Sequence, residues 1–223
     1  MDSAKALLGA VAGRFLFRHG EVTAVSRLSE HFVRIEVAGE ELVGAPFVPG
    51  DKVQVFLPGV GMRTYTPVTW DSGGRTWFLA FAHGDGPGAR WAREVKAGDA
   101  VALFGPRRSI DVGALAGPLV VVGDETSLAL AVALTRAQAN RHVTVVLEAG
   151  RPEELREVAG KLELPHVVVT EQGRLEEALS AQLALGASPV FTGNAATIQT
   201  LKRSLKVSGK TKAYWAAGKR GLD

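Results

Sequence analysis

At Pro118 the hydrophobic rhythm of the chain changes, and that change constrains the fold more than any other feature of the sequence. Before it, apolar residues recur at a spacing of two: Val33, Ile35 and Val37, then Val53, Val55 and Leu57, then Trp77, Leu79 and Phe81. Successive side chains on a strand point to opposite faces, so this alternation describes half-buried strands. The clusters "VPGD", "LPGVG", "DSGG" and "KAGD" stand between the runs and supply the turns. About six strands at this spacing predict a small antiparallel six-stranded β-barrel. After Pro118, "PLVVV" and "HVTVVLEAG" are continuous apolar runs, as expected of strands buried on both faces, and the stretch "GDETSLALAVALTRAQANR" between them has helical spacing. Strand, helix, strand in that order requires parallel pairing. "PHVVVTEQG", "GRLEEALSAQLALG" and "SPVFTGNAATIQTLKRSLK" continue the alternation. The expected architecture is therefore two-domain: a β-barrel over residues 1–114, then a doubly wound α/β domain with a parallel sheet over residues 115–223.

Composition removes whole classes of chemistry. There is no cysteine among the 223 residues, which excludes disulfides, thiolate zinc sites and cysteine-held iron–sulfur clusters. Any redox chemistry must then come from a bound organic cofactor. No run of about 18 apolar residues is present, so no membrane span is expected. At the start of the chain Leu7, Leu8, Val11 and Phe15 fit one face of a helix rather than a secretory signal, and a cytoplasmic protein is the expectation. The formal net charge of +3 is unevenly spread: residues 201–223 carry +6 and the remainder −3. Lys202, Lys206 and Lys210 in that basic tail are candidates for receiving an anionic substrate, although a solvated helix face would look the same. The tail lacks interleaved aromatic residues, which argues against nucleic-acid binding.

Two short stretches carry chemical suggestions. In "MRTYTPVTW", residues 62–70, alternation sends Arg63 and Tyr65 to one strand face, where a guanidinium can grip a phosphate and a phenol ring can cover a planar heterocycle of the same ligand. Thr64 stands between them, and Thr66 follows with a hydroxyl able to reach a ring heteroatom. A tyrosine beside a surface arginine on a barrel strand is also an ordinary structural feature, and the tetrad alone does not separate the two. In "HGDGPGARWA", residues 83–92, a glycine-rich turn runs into a helical pattern, so backbone amides converge at a helix N-terminus suited to an anion. A hairpin loop needing positive φ explains the same glycines.

Taken in order, "RTYT", "HGDGPGARWA", "AGDAVALFGPR", "VVVGDETSLAL" and "AYWAAG" resemble the siderophore-interacting proteins, flavin-dependent ferric-siderophore reductases of the ferredoxin reductase-like superfamily. The similarity spans nearly the whole chain. It implies FAD as cofactor, with Arg63 on the pyrophosphate, Tyr65 on the isoalloxazine and Thr66 near its N5, and with His83, Gly84, Gly86, Pro87, Gly88, Ala89 and Trp91 completing the site. It places Gly123, Asp124, Glu125 and Thr126 where the superfamily receives a nicotinamide nucleotide, Thr126 lying near the flavin beside Thr66 as the second catalytic candidate. Glu148 ends the following strand, where a carboxylate can accept ribose hydroxyls and so favour NADH, while Arg151 leaves NADPH open. Thr192 and Gly193 in "FTGNAA" belong to the strand end facing the same crevice. Tyr214 and Trp215 match the closing "YW", as pocket wall or as anchors of the last strand.

The function expected from this resemblance is reduction of an anionic ferric siderophore to release Fe(II), with NADH, NADPH or reduced ferredoxin as donor. The competing readings are a general NAD(P)H-dependent flavin or ferredoxin-type reductase, and a siderophore- or flavin-binding module without catalysis. No metal site of the protein's own is expected, and the sequence does not specify an oligomeric state.

Overall fold

The computed structural model describes residues 17–219. The helix expected around Leu7 to Phe15 lies outside the described residues. The first seven strands, β1 (Arg18–Arg27), β2 (Phe32–Ala38), β3 (Lys52–Leu57), β4 (Gly61–Tyr65), β5 (Pro67–Trp70), β6 (Arg75–Phe81) and β7 (Ala100–Arg107), form one antiparallel sheet in the order β4-β3-β7-β1-β2-β6-β5. The count is seven because the run that reads as one strand around Tyr65 is two. β4 pairs with β3, whereas β5 begins at Pro67 and pairs with β6. These two strands are the opposite edges of the sheet, yet Thr66 alone separates them in sequence. The sheet must therefore curl until its edges meet at Thr66. A short helix, α1 (Pro87–Glu94), fills the link between β6 and β7.

The second part alternates β8 (Leu119–Gly123), α2 (Leu128–Ala137), β9 (Val143–Ala149), α3 (Pro152–Lys161), β10 (Val167–Glu171), α4 (Leu175–Ala184), β11 (Ser188–Asn194), α5 (Ala195–Ser204) and β12 (Lys210–Trp215). Its five strands are all parallel, in the order β10-β9-β8-β11-β12. The fold class read from the sequence is the one observed, an antiparallel sheet followed by a parallel α/β sheet. Both faces of the parallel sheet are covered, as its apolar runs require. Along β8, Leu119 and Val121 enter one core with α2 and α3, while Val120 and Val122 enter another with α4 and α5.

α2 joins the two parts. Leu128 to Leu134 are buried without a break, because one face of the helix packs on the parallel sheet and the other meets Val68, Trp77 and Leu79 of the barrel. A helix apolar all round is one with neighbours on every side. A polar contact pins the same interface: Glu154 of α3 accepts the Ser29 hydroxyl at 2.6 Å and the His31 amide at 2.9 Å, and its other oxygen lies 3.0 Å from His31 Nδ1. Burial alone would raise the Glu154 pKa, but these hydrogen bonds outweigh it and leave the carboxyl below its ordinary value of 4.5. A depressed folded-state pKa contributes stability that is present above the unfolded value and lost as pH falls through the folded one. Glu154→Gln is accordingly expected to lower the thermal midpoint at pH 7 and to flatten its fall between about pH 5 and pH 3. Unfolding curves collected across that window check this, and an acid slope identical to wild type would remove Glu154 from the account.

Candidate active-site crevice

α1 starts without a side-chain cap. Its N-cap is Gly86, whose side chain offers no oxygen, and Pro87 occupies the first turn, where a missing N–H costs nothing. The amides of Gly88 and Ala89 are left facing outward. Arg93, in the last turn, donates through Nη1 to the carbonyls of Ala82 and Gly84 at 3.0 and 2.9 Å and so ties the glycine-rich turn to the helix. Against this N-terminus lies β4, with Arg63 and Tyr65 on one face as alternation requires. The Tyr65 hydroxyl donates to the Gly88 carbonyl at 3.4 Å, and its ring is 5.4 Å from that of Trp91. Burial pushes the Tyr65 phenol above the ordinary range despite Arg63 nearby, so it stays protonated. A Cβ at Gly88 would stand 3.3 Å from the Tyr65 oxygen and 3.5 Å from Arg63 Cγ. Only a residue without a side chain leaves that corner open.

The corner belongs to a crevice of about 590 Å³ between barrel and α/β sheet. Of the residues nominated from sequence, Arg63, Thr64, Tyr65, Thr66, His83, Gly84, Gly86, Gly88, Ala89, Thr126 and Trp215 line it. Pro87 and Trp91 do not; Trp91 supports Tyr65 from behind. Tyr214 lines it too, with its phenol pushed up to about 12 by burial. Sequence reasoning missed Lys52, Ser109, Lys212 and Lys219, which give the crevice cations besides Arg63.

Lys202, Lys206 and Lys210 line neither this crevice nor the one described next. The crevice lies at the C-terminal ends of the parallel strands, as open α/β sheets place it, whereas Lys210 begins β12 and Lys202 sits in α5 with its ammonium on Thr211. Lys212, two residues further along β12 and on the face of Tyr214, is the lysine that arrives.

Asp124 is a hub rather than a ligand contact of that crevice. It is 5% exposed, and its Oδ1 accepts the Thr126 amide at 2.9 Å and the Thr126 hydroxyl, while Oδ2 accepts the Asn194 amide at 2.9 Å and Trp215 Nε1 at 2.8 Å. Gly193 is a glycine for this reason: its φ is 92°, and a Cβ there would be 2.4 Å from Asp124 Oδ2. Gly123 is likewise buried by close approach to Ser127 and the Thr192 carbonyl. Thr192 is buried inside the sheet with its hydroxyl toward the Val122 carbonyl.

A second crevice, of about 470 Å³, opens on the far side of Trp215. Asp124, Glu125, Glu148 and Glu176 line it, and among the described residues no lysine or arginine does; Arg151 lies outside it. Glu148 accepts the Gly173 amide at 3.2 Å and the Thr197 hydroxyl at 3.4 Å. Trp215 is the residue that borders both crevices. Among the described residues no group of three or more His, Cys, Asp or Glu is arranged to hold a metal ion, and no helix is long and apolar enough to cross a membrane.

The siderophore-interacting FAD-binding domain is the family whose model matches, over residues 59–110. No curated protein matches the sequence. Among solved structures, a siderophore utilization protein from T. fusca is similar with a TM-score of 0.74 at 22% identity, over 93% of this chain and 95% of that one. The siderophore-interacting protein SipS from Aeromonas hydrophila has a TM-score of 0.70 at 24% identity, over 92% and 93%. A ferredoxin NADP+ reductase from Neisseria gonorrhoeae with bound FAD and NADP has 0.69 at 17%, over 86% and 91%. The chain thus carries, over residues 59–110, a match to the siderophore-interacting FAD-binding domain, and it has the ferredoxin reductase-like fold.

Proposed function

We propose that the larger crevice holds FAD and that the protein is an oxidoreductase reducing ferric siderophores with electrons from NAD(P)H, NADH being the preferred nucleotide. The observation that carries this reading is the corner where an uncapped helix N-terminus, Arg63 and Tyr65 converge around Gly88. Free amides and a guanidinium suit a diphosphate, and the adjoining phenol ring suits a flat heterocycle. The volume is also within the usual range of small-molecule sites, roughly 300–1,000 Å³. Bound FAD supplies the exchange between a hydride donor and a one-electron metal acceptor. Around it, Tyr65 and Ala89 cover the heterocycle, His83 and Phe81 close one side, and Trp215 separates the crevice from the acidic one where the nucleotide enters. Iron(III) in a chelate is held by hard oxygen donors and is released on reduction, so a cationic rim of Lys52, Lys212 and Lys219 suits an anionic ferric chelate.

The test is the visible spectrum of the purified protein followed by anaerobic addition of NADH, then of ferric siderophore, free flavin or ferredoxin. The reading predicts a yellow protein that bleaches with NADH and regains colour fastest with the ferric chelate. Faster recolouring with free flavin or ferredoxin would make it a general reductase, and a flavin that NADH and NADPH leave oxidised would make it a binding module or one served by reduced ferredoxin.

Two expectations concern the partners. Four carboxylates, with no cation among the described residues of the second crevice, repel a 2′-phosphate, so kcat/KM for NADH is expected to exceed that for NADPH by at least about tenfold, and Glu148→Gln to narrow the gap. Equal constants for the two nucleotides would count against that crevice as the nucleotide site. The double variant Lys212→Glu, Lys219→Glu is expected to raise KM for an anionic ferric chelate several-fold at low salt and less at high salt. A KM unchanged at low ionic strength would dismiss the cationic rim.

A further inference from the structure

The N-terminal ends of the parallel strands, remote from both crevices, carry two histidines that the flavin reading does not use. His142 precedes β9 and His166 precedes β10, and these two strands are neighbours in the sheet. Each backbone is tied into the ladder: the His142 carbonyl accepts the Leu119 amide at 2.9 Å, and the His166 carbonyl accepts the Val145 amide at 3.0 Å. Both residues are exposed. Their ring centroids lie 4.3 Å apart, with the planes at 50°. The neighbouring cation is turned away, since Arg141 donates through Nη2 to the Leu115 carbonyl at 2.7 Å and through Nε to that of Gly117. His142 Nε2 lies 3.2 Å from the hydroxyl of Thr144, which is 5% exposed. A metal-bound imidazole ordinarily gives its other N–H to such an oxygen, and here that leaves the Nδ1 lone pair for an ion.

The spacing of the rings selects a coordination geometry. With metal–nitrogen bonds of about 2.0–2.1 Å and about 1.2 Å from nitrogen to ring centre, two imidazoles at a right angle on one ion have centres about 4.5 Å apart, and at the tetrahedral angle about 5.2 Å. The observed 4.3 Å fits the right angle. Rotation about χ2, a soft torsion, turns the nitrogens while leaving each ring centre nearly in place. We propose that His142 and His166 form a bidentate site for a divalent transition-metal ion of tetragonal preference, Cu(II) before Ni(II), with water in the remaining positions. Tetragonal nitrogen sites suit these two ions, and Cu(II) stands highest in the general order of affinity. Zn(II), which favours a tetrahedron, binds more weakly than Cu(II) here. Once one ring holds the ion the second attachment is intramolecular, so the pair binds more tightly than either ring alone. The site is independent of the FAD reading.

The experiment titrates Cu(II), Ni(II) and Zn(II) separately into the untagged 223-residue chain after dialysis against EDTA, by calorimetry, and records the electron paramagnetic resonance spectrum of the Cu(II) form. His142→Asn, His166→Asn and the double variant are treated alike, asparagine being a residue that tolerates the left-handed φ of 52° at position 166. Wild type is expected to take up one Cu(II) on the pair, more tightly than Ni(II) or Zn(II), with hyperfine structure from two imidazole nitrogens. Each single variant should lose at least about tenfold in Cu(II) affinity, because the intramolecular second donor is gone, and the two-nitrogen pattern should vanish. Melts of the metal-free proteins should coincide, so that the loss is one of ligands and not of fold. Wild-type Cu(II) affinity in either single variant would overturn the inference, and so would a Cu(II) spectrum with a single nitrogen donor, tighter binding of Zn(II) than of Cu(II), or a wild type that binds no Cu(II). A protein that takes up no FAD but binds Cu(II) in this way would sustain the inference while sinking the flavin reading.

Discussion

Arg63→Ala is expected to emerge from purification nearly colourless, with its FAD dissociation constant raised roughly 100-fold, because two charge-assisted hydrogen bonds to a diphosphate are worth about 3 kcal/mol together. The size of the effect follows from what replaces the guanidinium. The α1 amides still point at the phosphates, but no formal positive charge remains at that corner; Lys52, Lys212 and Lys219 line the crevice elsewhere. The fold should be unaffected, since Arg63 is half-buried on the edge strand β4 and donates a hydrogen bond to the neighbouring Met62 carbonyl. Thermal unfolding of the apo form should therefore match that of wild-type apoprotein while FAD titrations separate the two. Arg63→Lys should fall between them, keeping the charge and losing the planar fork. Wild-type flavin occupancy in Arg63→Ala would mean that the cofactor, if it binds, does so elsewhere.

Asp124→Ala is expected to act on stability first. The change removes an acceptor for the Thr126 amide and hydroxyl, the Asn194 amide and Trp215 Nε1, at a position 5% exposed. Buried donors left without partners make the cost large, about 3–4 kcal/mol, which for a chain of this size lowers the thermal midpoint by about 10 °C. The loss spreads over three elements: the turn that starts α2, the end of β11 and the end of β12 all meet at this carboxylate. Asp124→Asn should recover part of the stability, because it keeps one acceptor oxygen. Circular dichroism melts of the three proteins decide the matter, and a midpoint within about 3 °C of wild type for Asp124→Ala would show that the hub carries little of the fold.

The sequence exposes the fold through side-chain period, and does so best where one period runs unbroken. The alternation of Val53, Val55 and Leu57 and the continuous run Leu119 to Val122 are direct consequences of one-sided and two-sided burial. The stretch 62–70 is misread as a single strand because Tyr65, Pro67 and Trp70 all have strand-forming character, and the break at Thr66 is imposed by which neighbour each half pairs with. Pairing partners are not written in a local pattern. The same limit governs the site. Arg63, Tyr65 and the glycine-rich turn are visible because their types and spacing carry local meaning. Lys52 and Ser109 are invisible, since one begins β3 and the other follows β7, and only the folded chain brings them together. The basic tail shows an intermediate case: its charge is plain, but choosing Lys212 over Lys210 requires knowing that β12 runs parallel to β11 and presents its C-terminal end to the crevice.

The central claim is that FAD occupies the crevice between barrel and parallel sheet, and a crystal structure of cofactor-saturated protein tests it most directly. The account predicts the diphosphate between the Arg63 guanidinium and the amides of Gly88 and Ala89, with the tricyclic ring against Tyr65 and its reactive edge toward Thr66. A structure in which that crevice is closed by protein side chains, with the flavin bound at another surface, would contradict it.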